Sequence, residues 1–400
     1  MRRAAMVFVY VVVLLDILAF GLIIPVLPHL IEDFVGGDTA TAARWVGVFG
    51  MVFAAVQFGC SPIQGALSDR FGRRPVILLS CLGLGLDFIL MAVAQTLPLL
   101  FIGRLISGAT SASYSIANAY IADVVPPERR ARAYGLLGSA FGLGFIIGPV
   151  AGGLLGDIDL RLPFWVAAAL ALGNFAYGLF VLPESLPPER RTARVDWGHA
   201  NPLGALVLLR RYPQVLGLAA VVLLHALAHY VFPAVFVLFA DYTYGWGIRE
   251  VGYVLAAVGV CTAIVQAGLI GRIVAAIGER RALLLGQAAG LAGFTLYAFA
   301  PSGIWFLVGI PVIAFWGLAN PSLQALATRQ VGPEAQGRLQ GAFMSLASLA
   351  GVVAPVVFSQ VFAASIDGSL GIDFPGAPFA LSMLILGLAL VVAARASRPR

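Results

Sequence analysis

Gly65-Ala66-Leu67-Ser68-Asp69-Arg70-Phe71-Gly72-Arg73-Arg74 closes one apolar stretch, residues 44–66, and leads into another, residues 75–95, with four charges and two glycines in ten residues. A bilayer takes roughly 20 apolar residues per helix, so both stretches can cross, and the segment reads as the tight turn that joins them. Gly72 supplies the backbone freedom such a turn needs. Working outward, long apolar blocks and short polar joints alternate through the whole chain. They define twelve spans: 6–31, 44–66, 75–95, 98–121, 132–156, 162–182, 213–239, 250–273, 281–300, 303–325, 337–362 and 377–394. Backbone polar groups find no water in hydrocarbon, so each span is expected to be a helix. Composition agrees: 60% of the 400 residues are hydrophobic and 11% charged, where soluble domains carry about a quarter charged. The first span is too long for a signal-peptide core and lacks a small-residue cleavage site, so it is expected to be retained. The predicted fold class is an all-α integral membrane protein of twelve transmembrane helices.

Orientation follows from the arginines, which supply all 25 basic residues. With the N-terminus in the cytoplasm, 21 arginines fall on the inner side, Arg44, Arg161 and Arg249 fall outside, and Arg104 lies within the membrane. Outer loops collect acids instead, among them Glu32, Asp33, Asp38, Asp157, Asp159, Asp241, Glu250, Asp367 and Asp373. This bias is the positive-inside rule. It places both termini in the cytoplasm and accounts for the net charge of +6 without a nucleic-acid partner.

The chain repeats itself. Pro127-Glu128, Arg132, Gly135 and Gly148-Pro149 return 206 residues later as Pro333-Glu334, Arg338, Gly341 and Ala354-Pro355. Gln64 and Arg70 are likewise echoed by Gln266 and Arg272, before a longer second turn. Parallel repeats of six helices are a common transporter plan. The division expected is an N-terminal bundle over 1–182, a cytoplasmic linker over 183–212 rich in Pro and Arg, and a C-terminal bundle over 213–400.

Several positions carry candidate chemistry. In the first turn, Asp69 can pair with nearby arginines or with the positive end of a helix, and Gly65 would let its helix approach a neighbour closely. With Arg70, Arg73, Arg74, Asp123 at the end of span 4 and Arg132, this forms a candidate cytoplasmic lock that holds one access state and releases in another. An ordinary solvated turn is the plainer alternative. In span 5, Gly144, Gly148 and Gly152 make a small-residue stripe that permits close helix packing, and Pro149 removes a backbone bond and can kink the helix. Three charged residues lie within spans: Asp16, Asp87 and Arg104. Each costs at least about 2.5 kcal/mol at a helix centre, and a carboxyl beside a permanent cation can load and release protons. Asp16, midway along span 1, is the leading proton site; a static ion pair with Arg104 is the alternative. Substrate-cavity candidates are Asn118 and Gln324 at matched positions, His225 and His229 one turn apart, and Gln57 and Gln266, each of which could equally be polar packing. Two histidines alone make no metal site, and Cys60, Cys81 and Cys261 read as packing residues, so neither metal nor disulfide is expected. No nucleophile–base set or phosphate loop stands in a polar segment, so no enzyme and no cofactor are expected.

The turn at 65–74, placed between spans 2 and 3 of twelve, resembles the signature of the major facilitator superfamily. Gly144-Phe-Ile-Ile-Gly148-Pro149-Val-Ala-Gly152-Gly153 is similar to the motif of that superfamily's proton-coupled drug antiporters. Leu15-Asp16, Gly21-Leu-Ile-Ile-Pro25-Val-Leu-Pro28, Asp87, Ala119-Tyr-Ile-Ala-Asp123 and Gly337-Arg-Leu-Gln-Gly341 resemble its tetracycline-efflux branch. The resemblance implies two pseudo-symmetric six-helix bundles and alternating access at a mid-membrane cavity. It also implies export of an amphipathic drug against protons in a bacterial inner membrane, antibiotic resistance, a monomer, and function at Asp16, Asp87 and Arg104. One departure stands out. The branch usually carries an acid in span 9 where this chain has Gly290, and some members carry a His in span 8 where it has Thr262. Proton coupling is therefore expected to rest on the first half. A metabolite carrier of the same fold, or a non-transporting receptor or scaffold, remain alternatives.

Overall fold

The computed structural model describes residues 2–111, 113–192, 209, 212–332, 335–369, 371 and 373–397. Pro333 and Glu334 of the repeat, and Arg194, Asp196, Arg210, Arg211, Arg398 and Arg400, lie outside the described residues. Among the described residues the structure is helical, with no strand. The first half runs α1 (Arg2–Ile23), α2 (Leu27–Phe34), α3 (Thr39–Phe71), α4 (Arg73–Val93), α5 (Leu97–Thr110), α6 (Ser113–Val124), α7 (Pro127–Ile158) and α8 (Leu162–Val181). The second runs α9 (Leu216–His229), α10 (Val231–Tyr244), α11 (Ile248–Ile264), α12 (Ile270–Phe299), α13 (Gly303–Ala314), α14 (Ala319–Thr328), α15 (Gln336–Ile366) and α16 (Ala377–Ala396). Among the described residues, ten helical segments are long and apolar enough to cross a membrane. The difference from twelve has two sources. Spans 8 and 9 form one 52-residue segment, Ile248–Phe299, turned at Gly278; span 4 is divided into α5 and α6, each short on its own.

Five spans read as continuous are in fact interrupted: span 8 passes through a π-turn, Val265–Leu269, and of the other four proline explains three. Span 1 breaks at 24–26: Pro25 has no N–H for Gly21 O, which instead accepts from Ile24 N at 3.4 Å. Span 7 breaks at Tyr230 because Pro233 offers no N–H to the His229 carbonyl. Span 10 passes through a 3-10 turn, Phe315–Leu318, where Pro321 withdraws the partner of Gly317 O. Span 4 is interrupted after Thr110, and its loosened carbonyls are met from α3: Gln64 Nε2 donates to Ala109 O, and Gln57 Nε2 donates to Ser111 O at 3.3 Å. The breaks recur 206 residues apart, Ile24 with Tyr230 and Ser111 with Gly317. Gly72 and Gly278, also 206 apart, share a backbone only glycine adopts freely, with φ 106° and 78° and ψ 160° in both.

The chain forms two compact units: Met1–Gly36, Val52–Pro202 and Gly247–Ala256 in one, and Gly37–Met51, Leu203–Trp246 and Ala257–Arg400 in the other. Each holds a segment from the opposite half of the sequence. In the first unit, the Gly144, Gly148 and Gly152 stripe packs on α1. A Cβ at Gly148 would lie 2.7 Å from Gly21 Cα, and one at Gly152 would strike the Leu22 carbonyl. The other face of α7 meets the borrowed segment, where a Cβ at Gly252 would lie 2.5 Å from Pro149 O. The second unit mirrors this seam, with Gly50 against Pro355 of α15. Its core is aromatic: Tyr297 and Phe306 stack at 4.0 Å, and Phe239 meets Phe379 edge-on at 4.8 Å.

Gly148→Val is expected to destabilise the first unit by about 1–3 kcal/mol, the usual cost of overpacking. Gly135→Ala, on the same helix with nothing within 4 Å of its Cβ, should not destabilise and should raise stability by about 0.5–1 kcal/mol, the usual gain from replacing glycine inside a helix. Thermal unfolding of the two purified variants in detergent checks the contrast.

Candidate functional site

Asp16 sits on the face of α1 opposite the glycine seam and is 6% exposed. Asn174 of α8 holds it: its Nδ2 donates to Asp16 Oδ1 at 2.8 Å and to Val12 O at 2.8 Å. The Cys81 thiol of α4 lies 3.7 Å from the same oxygen. Asp16 Oδ2 is buried with no donor in good hydrogen-bond geometry, and the Ser113 hydroxyl, which has no other partner, lies beside the carboxyl as the donor within reach. The carboxyl thus has one oxygen fixed by Asn174 and one oxygen with only a hydroxyl beside it, where a proton can be carried. Asn174 was not foreseen; a lone amide in the apolar run 162–182 was its only signal. Cys81, read as a packing residue, is part of the clasp.

Arg104 does not pair with Asp16. Its Nη2 bonds Asp87 Oδ2 at 2.9 Å, and both residues are buried, at 5% and 0% exposure. Gly103 leaves the room the Asp87 carboxylate occupies, since a Cβ there would lie 2.6 Å from Asp87 Oδ1. The guanidinium is further seated against Met91 Sδ at 3.2 Å and over the Phe53 ring at 5.7 Å. A buried ion pair persists only with such close seating, because desolvation opposes it.

At the turn between α3 and α4, Arg73 is the hub. Its Nη1 bonds Asp69 Oδ1 at 2.6 Å and Ser68 Oγ at 2.6 Å, while Nε bonds Asp123 Oδ2 at 3.0 Å. The expected positive helix end is satisfied by an unforeseen acid, Glu184, from the segment read as linker. Glu184 Oε1 accepts from Arg73 N at 2.9 Å, Ser185 N at 2.9 Å and Leu186 N at 3.0 Å, and Oε2 accepts from Arg74 N at 3.3 Å. A carboxylate on the free N–H groups of a helix start is a favourable placement. The remaining members of the expected lock separate from it. Arg70 lies over Phe71 at 5.1 Å, and Arg74 donates to the Leu179 carbonyl. Arg132 is exposed and outside the network. Its neighbour Arg130 instead bonds Ala122 O at 2.9 Å and Val125 O at 3.0 Å, capping α6. Gly65 is not a close-approach position, since a Cβ there would meet nothing within 4 Å.

The second unit carries a counterpart with its charges exchanged. The positions 206 residues after Arg73 and Asp123 are Glu279 and Arg329, and these two form an ion pair. Deeper in that unit, Gln287 of α12 joins the histidine pair to an indole. Its Nε2 lies 3.5 Å from His225 Nδ1, and its Oε1 accepts from Trp316 Nε1 at 3.3 Å. His225 and His229 lie 4.3 Å and 5.8 Å from the Trp316 ring. Trp316 also explains Gly290: a Cβ there would lie 2.7 Å from the indole, so the ring fills the place an acid would take. The other polar candidates are tied locally. Asn118 donates to Tyr114 O at 2.9 Å, Gln324 to Asn320 Oδ1 at 3.2 Å, and Gln57 to Ser111. Gln266 is exposed, close to Gly317.

These features, a doubled six-helix plan with paired helix breaks and a charged turn after span 2, define a membrane carrier. The chain belongs to the Major Facilitator Superfamily, whose sequence profile matches residues 9–355. It is similar to the tetracycline resistance protein, class C, of Escherichia coli, 39% identical over 362 residues covering 90% of each chain. It is also similar to the class B protein of Escherichia coli, 36% identical over 354 residues, 88% of this chain and 87% of that one. Among solved structures, the nucleoside transporter NupG shares the fold, with a TM-score of 0.77 over 98% of both chains at 14% identity.

Glu184→Gln, which takes the charge from the start of α4, is expected to destabilise the protein by about 1–2 kcal/mol. Glu189→Gln, in the same segment and without a partner among the described residues, should have no effect. Equal unfolding temperatures for the two variants would contradict the assigned role.

Proposed function

We propose that this chain exports tetracycline-like amphipathic drugs in exchange for protons, by alternating access of the bundles at 1–182 and 213–400, in a bacterial inner membrane with both termini cytoplasmic. The proton gradient is the energy source, and no cofactor takes part. The observation that carries the reading is Asp16: one oxygen held by Asn174, the other buried with only the Ser113 hydroxyl beside it. A proton arriving from outside binds Oδ2, and its later loss to the cytoplasm restores the carboxylate. The Asn174 amide keeps the group in one orientation in both states. Asp87 and Arg104 serve beside it as a fixed ion pair that keeps charge in the outer half of the unit. The similarity to tetracycline resistance proteins supports the drug class.

A second reading keeps the antiport and changes the drug. Trp316 fills the place beside Gly290 and meets the two histidines, so the second unit offers an aromatic, uncharged surface. That surface favours an amphipath bound by stacking.

Energised inside-out vesicles containing the protein should accumulate tetracycline, and a protonophore should abolish the accumulation. Asp16→Asn should lower gradient-driven uptake by roughly tenfold or more, within the range for loss of a positioned acid–base group, while substrate exchange without a gradient continues. Gradient-driven uptake unchanged in that variant would remove Asp16 from the mechanism.

A further inference from the structure

The cytoplasmic end of the second unit holds a cavity of about 1000 Å³ that the transport reading does not use. Four arginines line it, Arg280, Arg281, Arg329 and Arg395, brought from the turn before span 9 and the ends of spans 10 and 12. Glu279 is the one carboxylate among the lining residues, and it is already engaged by Arg329. Arg280 spends its Nε on Ser397 Oγ at 3.3 Å. Arg281 and Arg395 have no acidic partner among the described residues. Gathering four cations around one acid is unfavourable unless an anion is present, and guanidinium forks match the oxygens of a phosphate.

The surroundings indicate which phosphate. Leu384, Leu388 and Val391 of α16 are 64%, 54% and 50% exposed. At spacings of four, three and four residues, they and Arg395 share one face of the helix. An apolar track of the kind that faces acyl chains therefore runs along α16 directly to an arginine of the cavity. Basic pockets at the cytoplasmic ends of membrane helices are recognised sites for anionic headgroups. We propose that this cavity binds the phosphate of an anionic phospholipid, with the arginines on the headgroup and the acyl chains along Leu384, Leu388 and Val391.

The test uses the full-length protein, delipidated in mild detergent, and counts bound lipid by native mass spectrometry with phosphatidylglycerol, phosphatidylcholine or inorganic phosphate added. Phosphatidylglycerol should be retained roughly tenfold or more over phosphatidylcholine. Arg281→Gln with Arg395→Gln should erase that preference, and the matching Lys pair should keep most of it. Arg272→Gln, a cytoplasmic arginine outside the cavity, should change nothing. Equal retention of the two lipids, or an unchanged preference in the Gln pair, would overturn the proposal. Inorganic phosphate displacing phosphatidylglycerol at matched concentration would also overturn it, by assigning the site to a free anion. Size-exclusion profiles and unfolding temperatures of the variants separate loss of the site from loss of the fold.

Discussion

Inside a bilayer no water is available to complete a hydrogen bond, so every polar group in these spans must find its partner within the protein. That constraint shapes the structure at each level. Where prolines interrupt spans 1, 7 and 10, local turns or 3-10 geometry take up the displaced backbone groups. Where span 4 opens after Thr110, two glutamines from α3 reach its carbonyls. Where carboxylates enter the hydrocarbon, one is paired with Arg104 and the other is clasped by an amide. Among the atoms left out of this accounting are two carboxylate oxygens, Asp87 Oδ1, on a group already paired with Arg104, and Asp16 Oδ2, on a group held only by neutral side chains. A buried acceptor without a donor is costly, and a proton is the simplest partner that comes and goes.

The same economy explains the glycine seams. α1 is pressed on α7 through Gly21 and Gly148, which turns Asp16 toward α4 and α8 and fixes the wall of its site. The two seams at Gly252 and Gly50 repeat one design in both units. Repetition extends to the charged turns, yet there the sign is exchanged. Arg73 with Asp123 in the first unit answers to Glu279 with Arg329 in the second. An ion pair works equally well either way round, so the repeat preserves the interaction while changing both residues.

That exchange shows why some of the architecture was legible in the sequence and some was not. The spans were readable because bilayer thickness sets a minimum apolar length. The breaks in spans 1, 7 and 10 were hidden because Pro25, Pro233 and Pro321 lie inside spans long and apolar enough to cross, and membrane helices tolerate proline. Asp16, Asp87 and Arg104 were conspicuous by charge, but charge alone did not say that Arg104 belongs to Asp87. Asn174 is neutral and alone in its span, and Glu184 sits in a segment whose composition reads as linker, so neither declared its role. The Glu279–Arg329 pair escaped a comparison of identities because neither residue matches its counterpart. Gly290 was visible as a departure from the resemblance; only the position of Trp316 supplies its reason.

The account rests on Asp16 as the group that gains and loses the proton. Infrared difference spectra of the protein in membranes, recorded as pH is moved across neutrality, observe a protonated carboxyl directly through its C=O stretch. The account predicts a titrating carboxyl band in the wild type that persists in Asp87→Asn and disappears in Asp16→Asn. The same band, undiminished in Asp16→Asn, would contradict it.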